Sequence, residues 1–285
     1  MKFKNILIIS TLILLIASCS APKKESLILG NENWVSSMCL TYLTKAVLEE
    51  KGYTVEVKNK KIENILADMD QGRIDLFMDV WYEGHSVYLY EFPNLEDLGT
   101  VYDNCEIGLA VPEYFNIDSV SQLSAVADSF GGMIYGIRED AGVMIATASI
   151  IEDYAWENVK IKNLETNELS KQLDASTAQR NNFVTAAWKP DWKNDHFYLN
   201  WLTDTTGLFG KGDKIQKMAK PGFSEENPEL AEIIKKIYLS EDQLTSFVNM
   251  VKDNRNPEKV AEMAQQWMKE NRELVDEWVG VNVSE

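Results

Sequence analysis

The chain has 285 residues, 45 % of them hydrophobic, with a formal net charge of −17 from 45 acidic and 28 basic side chains. That is enough apolar material for one large core or two smaller ones. An acid excess of this size repels phosphate, so nucleic acid and anionic membrane surfaces are excluded as partners.

The chain begins Met1-Lys2-Phe3-Lys4, continues as an apolar run from Ile6 to Ala17, and then reads Ser18-Cys19. A basic start, a short greasy stretch and small residues are the three parts of a secretory signal. The run falls short of the roughly 20 residues that a membrane span needs. Leu15-Ile16-Ala17-Ser18-Cys19 also resembles a bacterial lipobox, which makes residues 1–18 a signal peptide and Cys19 the acylated first residue of the mature chain. Residues 19–26 are polar and read as a lipid-anchored tether. Losing Lys2 and Lys4 with the signal takes the charge from −17 to −19. The expected mature protein is extracytoplasmic, membrane-anchored and monomeric.

Leu27 to Leu29 reads as a first strand, Asn31-Glu32-Asn33-Trp34 as a turn, and Ser36 to Lys51 as a helix closed by Gly52. Tyr53 to Val57 alternates as a strand, Ile62 to Gln71 is a second helix, and Ile74 to Val80 a buried strand. That order implies a parallel sheet with right-handed crossovers. The pattern restarts near Cys105. Strands follow at Ile107 to Val111, Met133 to Ile137, Lys160 to Leu164 and Phe183 to Trp188, with helices from Ala141 to about Tyr154 and Glu168 to Asn181. From about Gly207 the chain reads as mainly helical, with Pro257 placed to start the last long helix. The expected architecture is α/β with two lobes, 27–106 plus 207–285 and 107–206, and a ligand cleft between them.

Trp34, Trp81 and Trp188 share one context: each indole stands at the end of, or just past, a short hydrophobic run, in or beside a turn. Ligands of open α/β sheets bind at the carboxyl ends of strands. Three indoles converging there would enclose a cation that has no N–H to donate, the arrangement that recognises quaternary ammonium groups. With Cys19 acylated, Cys39 and Cys105 remain, and outside the cytosol an even pair is a disulfide candidate. Catalysis is not expected. The only histidines are His85 and His196, and no nucleophile elbow, zinc motif or phosphate loop is present, so no metal or cofactor is implied either.

Five stretches in order carry a family resemblance: Gly30 to Trp34, Leu48 to Val55, Gly72-Arg73-Ile74-Asp75 through Trp81, Tyr135-Gly136-Ile137 through Val143, and Val184 to Trp192. In these the chain resembles the substrate-binding proteins of glycine betaine, proline betaine and choline ABC importers. The resemblance implies a two-lobed type II periplasmic-binding-protein fold that closes over its ligand. It places Trp34 and Trp81 on one lobe and Trp188 on the other, around the trimethylammonium group. It also implies that the backbone N–H groups of Gly142 and Val143, at a helix start, hold the far end of the ligand, as the dipole of a helix N-terminus favours. Two departures stand out. The family commonly reads Trp-x-Pro-His-Trp where this chain has Asp191, and its Asp-Pro-Gly-Ala-Gly turn is here Arg138-Glu139-Asp140-Ala141-Gly142. A carboxylate at 191 would repel a betaine carboxylate and accept from a choline hydroxyl, so both ligand types stay open. The implied partners are a small quaternary amine and ABC permease and ATPase subunits. The alternative is a ligand-sensing lipoprotein that presents the bound amine to a receptor.

Overall fold

A computed structural model describes residues 26–280. The expected signal peptide, Cys19 and the expected tether up to residue 25 lie outside the described residues.

The first half opens with β1 (Ser26–Asn31), α1 (Val35–Glu50), β2 (Thr54–Asn59), α2 (Ile62–Asp70) and β3 (Leu76–Trp81). β1 pairs in parallel with both β2 and β3. Ile62, Ile65, Leu66 and Met69 recur at the helical period on α2, and they seal it against Phe77 and Val80 of β3. α1 is buried over most of its surface, because the sheet lies on one side and two C-terminal helices on the other. Its residue Cys39 is wholly inside.

A short helix, α3 (Ser86–Glu91), leads into β4 (Glu96–Pro112), a strand of 17 residues that belongs to both halves. Only Ile107 to Val111 of it reads as a strand in sequence. β5 (Met133–Gly136), α4 (Gly142–Asp153), β6 (Lys160–Asn163), α5 (Thr166–Ala178), β7 (Val184–Lys189), α6 (Lys193–His196) and β8 (Leu199–Trp201) complete the second half. β5 pairs in parallel with β6 and β7, while β4 is antiparallel to β7 and β8.

The stretch expected to be helical after Gly207 first forms β9 (Asp213–Ala219), which lies antiparallel between β3 and β4. The sheet order is therefore β2-β1-β3-β9-β4-β7-β5-β6, with β8 beside β4, a mixed sheet and not the all-parallel one that the element order implied. Sequence patterning hides β9 because its interior carries Gln216 and Lys217, both buried. Lys217 donates from Nζ to the carbonyls of Lys235 and Ile237, 2.8 Å each, and so satisfies the end of α8 (Pro228–Lys236). Burial pushes its ammonium down to about 8.

A one-turn helix, α7 (Phe223–Glu226), precedes α8; α9 (Glu241–Val251), α10 (Pro257–Glu270) and α11 (Arg272–Val279) then pack back on the first half. Asn256 caps α10 by accepting from the N–H groups of Glu258 and Lys259, and Pro257 occupies its first turn. Trp267 stacks on Phe247 at 5.7 Å and on Trp278 at 6.4 Å, so these two tryptophans are core.

The Cys39–Cys105 pairing is not formed: both thiols are free and buried. Cys39 points into the packing of α1, whereas Cys105 is held in β4 opposite Asp213 of β9. Burial raises both thiols well above their ordinary range, which suits inert core residues.

Replacing Lys217 by Ala removes two donors from buried carbonyls and leaves a void. Urea unfolding should show a loss of roughly 2–4 kcal/mol; an unchanged midpoint would mean the carbonyls find other partners.

Candidate ligand-binding cleft

Each of the three sequence-selected indoles is positioned by its own element. Trp34 is the residue before α1, in extended backbone (φ −86°, ψ 151°). The turn that carries it is tied down locally. Asn31 Nδ2 donates to Asn59 Oδ1 at 2.6 Å, while the Ser37 hydroxyl donates to Asn31 Oδ1 and accepts the Glu32 N–H. Trp81 ends β3, and its N–H donates to His85 Nδ1 at 3.1 Å. The turn beyond it is anchored by Asp213, whose carboxylate accepts the N–H groups of Glu83 and Gly84 at 2.9 and 3.0 Å. Trp188 lies in β7 opposite Ile107 of β4.

All three line one cavity of about 510 Å³ between the halves, within the size range of small-molecule sites. Trp34 and Trp188 meet edge to face, with ring centres 6.1 Å apart and planes at 79°. Gly142 and Val143 line the same cavity at the start of α4. Among the described residues no side chain caps that helix; the Met144 N–H donates to the Ala141 carbonyl at 2.8 Å, which leaves the N–H groups of Gly142 and Val143 to a ligand or to water.

The cavity also contains acids that sequence reading passed over. Asp79, in β3, is 2 % exposed and lines the cavity. Its Oδ2 accepts from the Ser36 hydroxyl at 3.4 Å, and its Oδ1 has no hydrogen-bond partner among the described residues. Burial first, and then the charge of Glu32, hold its carboxyl well above the usual carboxylate range; Ser36 and Trp81 offset part of this. Glu32 is also raised, by burial, against the pull of Arg138. Its Oε1 accepts the Ile62 N–H at 3.2 Å and lies 3.8 Å from the Arg138 guanidinium. Arg138 reaches over from the second half, sits 5.4 Å from the Trp34 ring centre and also pairs with Asp140 at 3.0 Å. One signal for Asp79 was present in the sequence: an acid in the middle of the apolar run Leu76-Phe77-Met78-Asp79-Val80.

Asp191, the remaining sequence-selected residue, does not line the cavity. Its Oδ1 accepts the Lys193 N–H at 2.8 Å, and its Oδ2 pairs with Lys193 Nζ at 2.7 Å, both side chains buried. Lys193 Nζ in turn stands 3.9 Å from the centre of the Trp188 ring. Asp191 therefore neutralises a lysine packed against the Trp188 ring.

Two α/β halves that share one long strand, with an aromatic cleft between them, define the two-lobed type II periplasmic-binding-protein fold. Residues 25–270 match the family described as the substrate binding domain of ABC-type glycine betaine transport systems. The chain belongs to that family. It is 26 % identical over 147 residues to the glycine betaine/carnitine transport binding protein GbuC of Listeria monocytogenes, a match over 51 % of this chain and about half (48 %) of that relative. Among solved structures, the glycine/betaine/L-proline-binding protein ProX of Borrelia burgdorferi superposes with a TM-score of 0.81 at 22 % identity, over 89 % of this chain and 96 % of that one. Lactococcal OpuAC, closed on glycine betaine, also gives 0.81, at 21 % identity over 90 % and 100 %. A choline-binding protein in complex with choline gives 0.76, at 18 % identity over 90 % and 91 %. At these identities the likeness is one of fold.

Burial lowers the imidazole of His85 from the ordinary 6.5 to about 4, with Arg138 acting in the same direction and Asp213 against it. The folded protein thus keeps His85 neutral, as an acceptor for the Trp81 N–H, while the unfolded chain takes a proton below about 6.5. Stability should fall as the pH drops from 6.5 to 4, and less so in His85→Asn. Thermal melts across that range check the slope. Equal slopes in both proteins would place the titration elsewhere.

Proposed function

We propose that the protein is the extracytoplasmic substrate-binding component of an ABC importer for quaternary ammonium osmolytes, of glycine betaine or choline type. The observation that carries this is the convergence of Trp34, Trp81 and Trp188 on one cavity that also holds Asp79 and Glu32. A trimethylammonium group cannot hydrogen-bond. It is held by π-faces that replace water around its methyls and by negative charge nearby. The relatives add weight: one is a glycine betaine/carnitine transport binding protein, one is closed on glycine betaine and one is in complex with choline.

In the mechanism we infer, the lobes are 27–106 plus 207–285 and 107–206. Trp34 and Trp81 form one wall, Trp188 the other, and Gly142 and Val143 offer N–H groups to the far end of the ligand. A ligand touching both walls binds the closed form better than the open one and shifts the population by that difference alone. The closed form then docks on permease and ATPase subunits, and acylation at Cys19 keeps the protein, as a monomer, at the membrane. Nothing in the reading calls for a reaction. Among the described residues no group of three or more His, Cys, Asp or Glu side chains is placed to hold a metal ion.

A desolvated cation over an indole gains about 2 kcal/mol. Trp188→Ala should therefore weaken the binding of choline or glycine betaine at least tenfold in calorimetric titration of a soluble form lacking the leader. Parental affinity in that variant would remove Trp188 from the cage.

A further inference from the structure

Asp79 is a buried carboxylate at a place where the fold gives it no protein counter-ion. It is 2 % exposed, it lines the cavity with the three indoles, and its Oδ1 has no hydrogen-bond partner among the described residues. The one hydrogen bond to its Oδ2 is long, 3.4 Å from the Ser36 hydroxyl. Leaving a buried polar oxygen unpaired is unfavourable, and more so for a charged group, so an unpaired acid inside a cleft points to something that arrives later.

We propose that Asp79 is the counter-ion and specificity determinant of this cleft, selecting cations that carry no carboxylate of their own over zwitterionic betaines. This rests on the quaternary-amine reading above and adds to it which class is taken.

Charge within the cavity supports the assignment. Its lining contains the acids Glu32, Asp79, Glu83, Asp140 and Asp213 against two cations, Arg138 and Lys211. Arg138 shares its charge with Glu32 at 3.8 Å and Asp140 at 3.0 Å, although its Nε has no hydrogen-bond partner among the described residues. Glu83, Asp140 and Lys211 are exposed to solvent, where a charge counts for little, which leaves Glu32 and Asp79 as the buried acids. A betaine would have to seat its own carboxylate among these acids. Choline brings only a cation and a hydroxyl, with no second carboxylate to place beside these acids.

A proton accompanies the exchange. The groups facing Asp79 are Ser36 and the Cys39 thiol from α1, Glu32 from the preceding turn, Trp81 from its own strand, and the Cys105 thiol from β4. None of them is a cation, and burial with Glu32 nearby favours the protonated form of the empty site. An incoming ammonium reverses the balance: the O–H bond of Asp79 breaks, the proton leaves to buffer, and the carboxylate remains opposite the cation. Choline affinity should then rise with pH, by at most about tenfold per unit where the free carboxyl is protonated. Betaine should show no such gain.

The test is calorimetric titration of the soluble protein with choline and with glycine betaine, in phosphate and in Tris, from pH 6 to 8. The same titrations are run on Asp79→Asn, an isosteric neutral change whose folding is checked by its melting temperature. The expected result is tighter binding of choline than of betaine, with up to one proton released per choline. In Asp79→Asn choline should weaken at least tenfold and the preference should narrow or reverse. Betaine binding to the parent as tightly as choline, or a choline preference that Asp79→Asn leaves intact, overturns the assignment while the quaternary-amine reading stands. Heat from neither amine overturns both. If the variant fails to fold, the parent's preference and its proton release decide the matter alone: equal affinities with no proton released overturn the assignment.

Discussion

One strand is hydrogen-bonded on both sides of the cleft, and the placing of the cavity walls depends on it. The first part of β4 pairs with β9, where Tyr102 faces Ile215, and Ile215 in turn faces Trp81 across the next ladder. The second part pairs with β7, where Ile107 faces Trp188. Both walls of the aromatic cleft are thus keyed, through side-by-side registers, to positions 102 and 107 of one backbone. A slip by one residue in either ladder would turn an indole to the opposite face of the sheet. β9 reinforces the arrangement, because its first residue, Asp213, also holds the turn beyond Trp81 through two N–H groups.

Within that frame the indoles and the acids depend on each other. Aromatic walls exclude water, which strengthens any charge interaction inside and raises the cost of each unpaired charge. The protein meets that cost in two ways. Glu32 is given a backbone N–H and a share of Arg138. Asp79 is given little beyond Ser36 and Trp81, and burial raises its carboxyl well above the usual carboxylate range. An active compensation of the second acid by a second arginine would make the empty protein more comfortable and the cleft a worse receptor for a cation. The same division runs behind Trp188, where Lys193 is buried against the ring and Asp191 is there to neutralise it.

The fold was legible wherever the polar and apolar residues keep a period. α2 declares itself by Ile62, Ile65, Leu66 and Met69, and the start of α10 by Asn256-Pro257. The three indoles were legible because a tryptophan at a strand end is a poor way to finish a core strand and a good way to line a cleft. β9 was not legible, since Gln216 and Lys217 are buried there through contacts from residues far along the chain. The first part of β4 was missed for a similar reason: Asp103 and Asn104 interrupt its apolar pattern. Pairing with β9 supplies what local propensity lacks.

Asp191 and Asp79 show why an acid's chemistry cannot be read from its motif. Asp191 stands in the Trp-x-Pro-x-Trp stretch singled out by the resemblance, and two residues further on is the lysine that occupies it. Asp79 stands in no motif, inside a run of buried apolar residues; it lines the cavity shared with the indoles, and its Oδ1 has no hydrogen-bond partner among the described residues. An acid beside a basic residue at a turn has a local partner available, and its charge is settled by the chain itself. In the interior of a strand the neighbours on either side point to the opposite face, so the charge has to be settled across space or by a ligand. For Asp79 the facing groups are another acid, a hydroxyl, an indole and two thiols, none of them a cation, and that leaves the settlement to whatever enters the cleft.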